Sequence, residues 1–332
     1  MRIAVLYPRG QKTGGPEAMH QFVHELRQQS AEAFVCPHPS TERLARAEAF
    51  SAYNAPELRW GELREDDLLV GAEIYAHELL TAPTRNRVMW WLSVDNGDPF
   101  RFTLMVRDRF RRRESTADGV PRLIVRLARE QWWRWRIKRN RSIRHIAQSA
   151  YAAQFITRWT GRETPVVSDY IVLAEPQELV TRNANRVAFN PAKGGALVAQ
   201  VAAGLDDLEF VPLTGMTPEA MVSALQSSAV YLDLGHHPGK DRIPREAAVL
   251  GCAVVVAARG SARLDDDVPL ENRFKIDPHD LVGSGRRVLR DTIDALPQSV
   301  AAQEPLRERI RAERSTFSDE VASFRAEFVR PA

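Results

Sequence analysis

The stretch YLDLGHHPGKDRIPREAAVLGCAVVV, residues 231–256, gives the strongest indication of the fold. Two short apolar runs flank a charged loop and a helical segment, a pattern that predicts strand, loop, helix and strand. Apolar strands separated by helices are typical of a parallel sheet with helices on both faces. The sequence therefore predicts an α/β fold.

The charged loop 236–242 follows the first of these strands, and ligands of parallel sheets bind beyond the carboxyl ends of the strands. The loop contains Lys240 and Arg242 and leads into a helix, whose N-terminus itself favours anions. Such a site suits a pyrophosphate. Glu246 lies about one turn into that helix, where a carboxylate can accept hydrogen bonds from sugar hydroxyls. A solvated charged loop without a ligand is the alternative interpretation.

The alternation of strands and helices continues on both sides of this stretch. Strands are predicted at residues 2–7, 68–70, 74–76, 88–94, 143–148, 186–190, 209–213, 230–234, 253–257 and 274–276. Thr217, Pro218 and Glu219 predict a helix start through a side-chain cap, a first-turn proline and a first-turn acid. One face of a long C-terminal helix is marked by Leu306, Ile310, Phe317, Val321, Phe324 and Phe328.

A chain of 332 residues is too long for one ordinary core, so two domains of roughly 150 residues are expected. We predict an N-terminal domain at 1–165 with a basic helical insertion at 101–142. We also predict a second domain at 166–302. A C-terminal helix at 303–332 is expected to pack back towards the first domain. No apolar run approaches the ~20 residues that span a bilayer, and two cysteines predict no disulfide framework. A cytoplasmic protein is therefore expected.

Residues 231–256 resemble the C-terminal domain of the GT-B glycosyltransferases of bacterial O-antigen and capsule assembly. That family carries a segment of the form E-G-F-G-x-P-x-x-E-A-x-A-x-G-x-P-V, and five positions match it in register: Gly239, Glu246, Ala247, Gly251 and Val254. The first glutamate of the family, which contacts the donor sugar, falls on Pro238. The resemblance implies the GT-B fold, two Rossmann-like domains facing across a cleft. The candidate donor-binding residues of this stretch are His237, Gly239, Lys240, Arg242 and Glu246.

The segment RVAFNPAKGG, residues 186–195, is similar to a strand-turn-helix of the same family, whose lysine reaches the donor diphosphate. Lys193 matches that lysine and Gly194 the glycine after it, while Asn190 lies roughly where the family has an arginine. Glycine at such a turn allows the backbone to approach a phosphate closely. A plain capping turn of a helix is the alternative interpretation.

Two segments of the N-terminal half complete the candidate site. The Gly14-Gly15-Pro16-Glu17 segment resembles the Gly-Gly loop that lines the cleft of these enzymes, which makes Gly15 a candidate donor-binding residue. It is not a G-x-G-x-x-G motif, so dinucleotide binding is not predicted. Asp95, at the end of a predicted strand, is the candidate for orienting or deprotonating the acceptor hydroxyl. A turn formed by Asp95, Asn96 and Gly97 is the alternative.

The histidines of the chain do not predict a metal site. His236 and His237 have no cysteine or histidine partners at the spacing that metal sites require, so neither a metal nor a cofactor beyond the donor is predicted. His20 and His24 share one face of the predicted first helix, and we interpret them as polar residues of the surface or cleft.

The positive charge of the chain is concentrated in one segment. Residues 101–141 contain 14 Lys/Arg and 4 Asp/Glu, a surplus of +10 in a chain of net charge +3. Within 122–139, a helical face carries Ile124, Leu127, Ala128, Trp132 and Trp135, and the opposite face carries Arg122, Arg126, Arg129 and Arg136. This pattern predicts an interfacial helix on an anionic membrane. A helix packed on its own domain is the alternative; nucleic-acid binding is not favoured because no RNA-binding module accompanies it.

Together these patterns predict transfer of a sugar from a nucleoside-diphosphate sugar to a hydroxyl of a lipid-linked or surface glycan. The protein would then work at the inner face of the plasma membrane. Two rivals remain: a nucleotide-sugar epimerase of the same fold, and an inactive GT-B-like scaffold, which the proline at position 238 favours.

Overall fold

The computed structural model describes residues 1–97, 100, 103, 120–172 and 182–329. The chain forms two compact units, Met1–Asp169 with Ser315–Ala332, and Tyr170–Arg314. Each unit contains a five-stranded sheet whose neighbouring strands are parallel. The predicted α/β fold with parallel sheets is confirmed.

The first unit has the strand order β2-β1-β3-β4-β5. Its strands are β1 (Ile3–Tyr7), β2 (Ala33–Pro37), β3 (Leu68–Ala72), β4 (Asn86–Trp91) and β5 (Ile143–Ala147). Its helices are α1 (Gly14–Gln28), α2 (Ala76–Thr81), α3 (Val120–Arg139) and α4 (Ala150–Thr160). Every residue of β1 and β3 is buried, as the continuous apolar sequence of a covered parallel sheet requires.

The second unit has the strand order β10-β9-β8-β6-β7. Its strands are β6 (Asn183–Phe189), β7 (Glu209–Pro212), β8 (Ser228–Asp233), β9 (Ala253–Ala257) and β10 (Lys275–Ile276). Its helices are α5 (Gly195–Ala202), α6 (Pro218–Ser227), α7 (Arg242–Val249), α8 (Gly283–Asp294) and α9 (Leu296–Ala301). Since β6, β8 and β9 are adjacent and parallel, the loops after their carboxyl ends share one edge of the sheet.

The last helix, α10 (Glu304–Phe328), begins in the second unit and ends in the first. All six apolar residues predicted to mark its buried face are buried. In the first unit, Ser318 donates a 2.7 Å hydrogen bond to Glu25 of α1, and the ring of Phe324 lies 5.0 Å from that of Phe22. Within the first unit, the end of α10 therefore packs against α1.

One predicted element differs from the structure, and one strand of the structure was not predicted. Residues 74–76 are not a strand: Glu73–Tyr75 forms a 3-10 turn that leads into α2. A run of three apolar residues is too short for its periodicity to distinguish strand from helix. The edge strand β2 (Ala33–Pro37) was not predicted, although its AFVCP sequence is apolar and four of its five residues are buried. The predicted cap is confirmed, since Thr217 Oγ1 accepts a hydrogen bond from the backbone N–H of Ala220 at 3.2 Å.

Candidate functional site

The turn after β6 brings Lys193 to the end of β8. Asn190 holds this turn, because its side-chain oxygen accepts from Ala192 N at 3.0 Å and its carbonyl accepts from Lys193 N at 3.0 Å. Gly194 follows with φ +79°, a left-handed conformation that favours glycine. A Cβ at this position would lie 3.0 Å from the carbonyl carbon of Leu234, so the two loops pack backbone against backbone.

The loop after β8 is fixed on both sides. On one side, Gly235 donates a 2.8 Å hydrogen bond to the carboxylate of Asp233, and a Cβ on Gly235 would lie 3.0 Å from Cβ of Lys193. On the other side, Ser261, which follows β9, donates to the carbonyl of His237 at 2.9 Å from its N–H and to that of Gly239 at 2.7 Å from its hydroxyl. Three loops of the carboxyl edge are therefore joined by hydrogen bonds and close packing.

Four side chains at this edge form a continuous chain of charged contacts. The Nδ1 atom of His237 lies 2.9 Å from Oδ2 of Asp241, and its Nε2 atom lies 3.5 Å from Oδ2 of Asp233. The other carboxylate oxygen of Asp241 forms an ion pair with the ammonium of Lys193. The side chains of His237 and Asp233 are each only 1% exposed, whereas Lys193 is 28% exposed. The row of contacts therefore begins in the core and ends at Lys193, whose side chain is partly exposed although its ammonium nitrogen is buried.

The two carboxylates control the protonation of His237. Burial by itself lowers the pKa of this imidazole, but hydrogen bonds and charge from Asp233 and Asp241 outweigh it and raise the pKa to about 9. Burial likewise raises the pKa of Asp241, but His237 and Lys193 outweigh it, and the pKa of the carboxyl is lowered. At neutral pH His237 is therefore a cation and Asp241 a carboxylate.

Asp233, His237 and Asp241 bring one ligand atom each to within 4.8 Å of one another, the kind of group that can hold a metal ion. Each ring nitrogen of His237 also faces a separate carboxylate, so ion pairing with a protonated ring is a second way in which the three side chains can interact. Sequence analysis considered Asp241 only as a replacement for the family glutamate at Pro238, and it did not predict that Asp233 or Asp241 pairs with His237. The signal was the Asp-x-x-x-His-x-x-x-Asp spacing across the end of β8 and its loop.

The other candidate donor-binding residues with charged side chains, Lys240, Arg242 and Glu246, make ion pairs outside this cluster. Arg242 Nε donates to Glu246 Oε1 at 2.6 Å on the surface of α7. Lys240 Nζ lies 3.1 Å from Oε1 of Glu313, a residue of α10 that sequence analysis did not single out. The structure thus brings Lys193, Gly194 and His237 together in one cluster. The carbonyl of Gly239 is joined to the same loops through Ser261. Lys240 belongs instead to a second cluster around Glu313.

In the first unit, Gly15 lies in the first turn of α1, where an added Cβ would make an ordinary 3.6 Å contact with Leu92. Asp95 lies in a 3-10 turn, Val94–Asn96, that follows β4. A buried acid that sequence analysis missed, Glu73, accepts a 2.9 Å hydrogen bond from Leu92 N at the same strand end.

The interpretation of His20 as a surface or cleft residue is wrong. Its side chain is fully buried, its Nδ1 lies 2.7 Å from the carbonyl of Pro16, and its ring stacks on Phe50. Burial lowers the pKa of His20 to about 4, so the ring is neutral and belongs to the core. His24 is half-buried and accepts a hydrogen bond from Asn54 N at 2.9 Å.

The basic helix α3 buries one acidic and one apolar residue, Glu130 and Ile137. Glu130 is 1% exposed and accepts from both the backbone N–H and the hydroxyl of Thr103, at 2.9 and 2.6 Å. Ile137 is also fully buried. A different face of the same helix carries an apolar stripe that is exposed. The exposed stripe consists of Ile124 (61%), Val125 (67%), Trp132 (46%) and Trp135 (56%). The helix therefore packs on its own unit, as the alternative predicted, but through Glu130 and Ile137 rather than through the tryptophan stripe.

One detail of the predicted helix also differs. Arg136 does not lie opposite Trp132; its guanidinium lies over that ring, 4.8 Å from the centroid, and Arg139 lies 5.0 Å over Trp135 in the same way. Residues four apart meet on a helix, which explains both pairs. The side chain of Arg122 lies outside the described residues. Of the helices that the structure describes, none is long and apolar enough to cross a membrane.

The architecture matches solved glycosyltransferase structures along the whole chain. HepE of Anabaena in complex with UDP-glucose superposes with a TM-score of 0.63 at 14% identity, over 98% of this chain and 99% of that one. A glycosyltransferase of Rickettsia africae gives 0.65 at 8% identity, over 100% and 99%. The chain has the GT-B fold.

WaaG, a glycosyltransferase involved in lipopolysaccharide biosynthesis, gives a TM-score of 0.57 at 12% identity, over 97% of this chain and 99% of that one. No protein-family model and no curated protein sequence matches the chain. At such low identities the likeness establishes the fold, and the activity has to be argued from the residues of the site.

Proposed function

We propose that this protein is a glycosyltransferase that moves a sugar from a nucleoside-diphosphate sugar to a hydroxyl acceptor. The observation that carries the proposal is the cluster at the carboxyl edge of the second sheet. There the turn with Lys193 and Gly194 packs directly against the loop that leads into α7. In parallel α/β sheets this edge is where ligands bind.

The chemistry of the cluster suits the two ends of such a donor. The ammonium of Lys193, buried beside Asp241 at the end of a partly exposed side chain, supplies positive charge for the diphosphate, and the N-terminus of α7 adds the positive end of a helix dipole. Glu246 of α7 is paired with Arg242 through Oε1, while its buried Oε2 has no hydrogen-bond partner among the described residues, and we assign this oxygen to a hydroxyl of the sugar or ribose. HepE, which shares the fold, binds UDP-glucose, and this supports a nucleotide-sugar donor.

Asp95 is the residue that we assign to the acceptor. A carboxylate that orients or deprotonates the attacking hydroxyl raises the rate of the chemical step, provided that the hydroxyl lies within hydrogen-bond reach. Its placement in a turn directly after β4 sets it at the carboxyl edge of the first sheet.

The acceptor that we propose is a lipid-linked or surface glycan, met at an anionic membrane. The exposed stripe of α3 supports this, because tryptophans favour the headgroup layer while neighbouring arginines attract anionic lipids. WaaG, which shares the fold, acts in lipopolysaccharide biosynthesis, and this is consistent with such an acceptor.

The test is a thermal-shift titration of the full chain with UDP-, GDP- and dTDP-sugars, followed by product analysis with and without acceptor. A ligand at 100 times its Kd stabilises the folded state by about 2.7 kcal/mol, so one nucleotide should raise the melting temperature clearly. Lys193→Ala should lose that shift while remaining folded without ligand. Stabilisation by no nucleotide would support the scaffold, and conversion of the donor sugar without any acceptor would support the epimerase.

A further inference from the structure

We propose that His237 is a positioning residue of the donor site: a buried cation that neutralises Asp241 and so leaves the charge of Lys193 available to the donor diphosphate. The inference rests on the proposed function, because it concerns how that site holds a diphosphate. The observation behind it is that Asp241 lies between two cations, His237 and Lys193.

The position of Asp241 is unusual for an N-cap residue. It lies at the N-cap of α7, yet its side chain makes no capping hydrogen bond to the helix. Its two oxygens are used instead for His237 Nδ1, at 2.9 Å, and for the ammonium of Lys193. A carboxylate at a helix N-terminus and beside a lysine competes with any phosphate for the same positive charges. The site therefore needs a second cation if the lysine is to bind a diphosphate.

His237 supplies that cation. Asp233 from β8 faces one ring nitrogen and Asp241 from α7 faces the other, an arrangement that stabilises the doubly protonated ring. The hydroxyl of Tyr231 lies 3.4 Å from Oδ2 of Asp233, and the ammonium of Lys193 pairs with Asp241. The segment after β9 contributes the backbone N–H of Ser261, which bonds the carbonyl of His237.

The charges of this group sum to zero only while the ring is protonated. Asp233 and Asp241 then balance His237 and Lys193. A neutral side chain at position 237 would leave one negative charge beside the place of the diphosphate. Because the group is largely buried, water and salt screen that charge less than they screen a surface charge.

The experiment compares His237→Gln, Asp241→Asn and the double variant with the wild-type full chain. Binding of inorganic pyrophosphate, and of UDP, GDP and dTDP, is measured by calorimetry at pH 7.5. His237→Gln should weaken pyrophosphate binding by about tenfold or more, which corresponds to about 1.4 kcal/mol. The double variant should recover most of that affinity, because it removes the uncompensated carboxylate together with the cation.

If His237 had only a structural role, the double variant would bind pyrophosphate as weakly as His237→Gln or more weakly. That result would overturn the proposal. If the wild-type chain binds neither pyrophosphate nor any of the three nucleotides, the proposed function itself fails, and the inference with it. The two failures are distinguishable because only the first leaves wild-type binding intact.

Should His237→Gln fail to fold, the protonation of the ring can be read in the wild-type protein. In ¹⁵N-histidine-labelled protein, the imidazole signal that moves in Asp241→Asn belongs to His237. The proposal requires both of its ring nitrogens to carry a proton at pH 7.5. A neutral tautomer at that pH would overturn it.

Discussion

Arg245 of α7 donates a 2.8 Å hydrogen bond to the carboxylate of Glu313 in α10, and both side chains are almost fully buried. The same carboxylate lies 3.1 Å from the ammonium of Lys240. The helix that carries Glu246 is thus held by a buried acid near the point where the chain leaves the second unit. Sequence patterns gave no hint of this pairing, since the partners lie 68 residues apart.

Glu313→Ala should strongly destabilise the second unit. The change leaves the guanidinium of Arg245 buried without this carboxylate, and breaking one side of a buried ion pair costs about 3–5 kcal/mol. Urea unfolding measures the loss. The matched control is Asp207→Ala, which removes an exposed ion pair with Arg290 and should leave the transition almost unchanged. Equal effects of the two changes would contradict the role assigned to Glu313.

Gly194→Ala should harm both stability and donor binding. Its φ of +79° costs an L-residue about 1 kcal/mol or more, and the new Cβ would press on the backbone of Leu234. Gly161→Ala is the control, because Gly161 has a similar φ of +74° but no atom within 4 Å of the added Cβ. Thermal melting should show the larger loss for Gly194→Ala, and nucleotide binding should fall in that variant alone.

Asp95→Asn should depress sugar transfer far more than donor affinity. A group that acts on the acceptor hydroxyl contributes to the chemical step, so kcat should fall by roughly 10²–10⁴-fold while the Kd for donor stays close to that of the wild type. Initial rates with saturating donor, beside calorimetry, measure the two quantities. Unchanged turnover would remove Asp95 from the mechanism.

The stability of the protein should decline at both ends of the pH range. The pKa of His237 is raised from 6.5 to about 9, so its contribution is complete below pH 6.5 and is lost as the pH rises through about 9. Burial lowers the pKa values of His20 and His145 to about 4, so their contribution is present above pH 6.5 and is lost as the pH falls through about 4.

Melting temperatures between pH 4 and pH 10 measure both declines. In His237→Gln the loss between about pH 6.5 and 9 should be reduced, while the acidic decline should persist. An identical alkaline decline in the wild type and the variant would show that another group is responsible.

Local patterns in the sequence predicted most of the fold, because each depends on residues close together in the chain. The cap at Thr217 and the buried face of α10 are of this kind. The edge strand β2 was missed, since five residues ending in Pro37 carry little periodicity, and its pairing with β1 is a long-range contact.

The candidate site was less accessible from the sequence for the same reason. The sequence marks Lys193 and His237 as polar residues at strand ends, but not that Asp241 joins them, because that contact depends on how three loops meet. Burial is equally hard to predict for amphipathic side chains: His20, which the pattern placed at the surface or cleft, lies in the core.

The last prediction concerns the exposed stripe of α3. Trp132→Ala with Trp135→Ala should leave the fold intact, because the rings are 46% and 56% exposed and their contacts with Arg136 and Arg139 lie on the surface. Binding to phosphatidylglycerol vesicles should nevertheless fall, since the apolar area that enters the headgroup layer is lost. Wild-type binding should also weaken as salt rises, because the surface potential is screened over roughly 8–10 Å at moderate ionic strength.

Ile137→Ala is the matched control on the same helix. Its side chain is fully buried, so the change should lower stability by about 2–5 kcal/mol and yet preserve vesicle binding at temperatures where the variant is folded. Co-sedimentation with vesicles and a melting curve, recorded for both proteins, separate the two effects. The membrane role of α3 requires that the tryptophan variant melts normally and remains in the supernatant. A tryptophan variant that melts normally and still pellets with the vesicles would exclude this stripe as the membrane-binding surface.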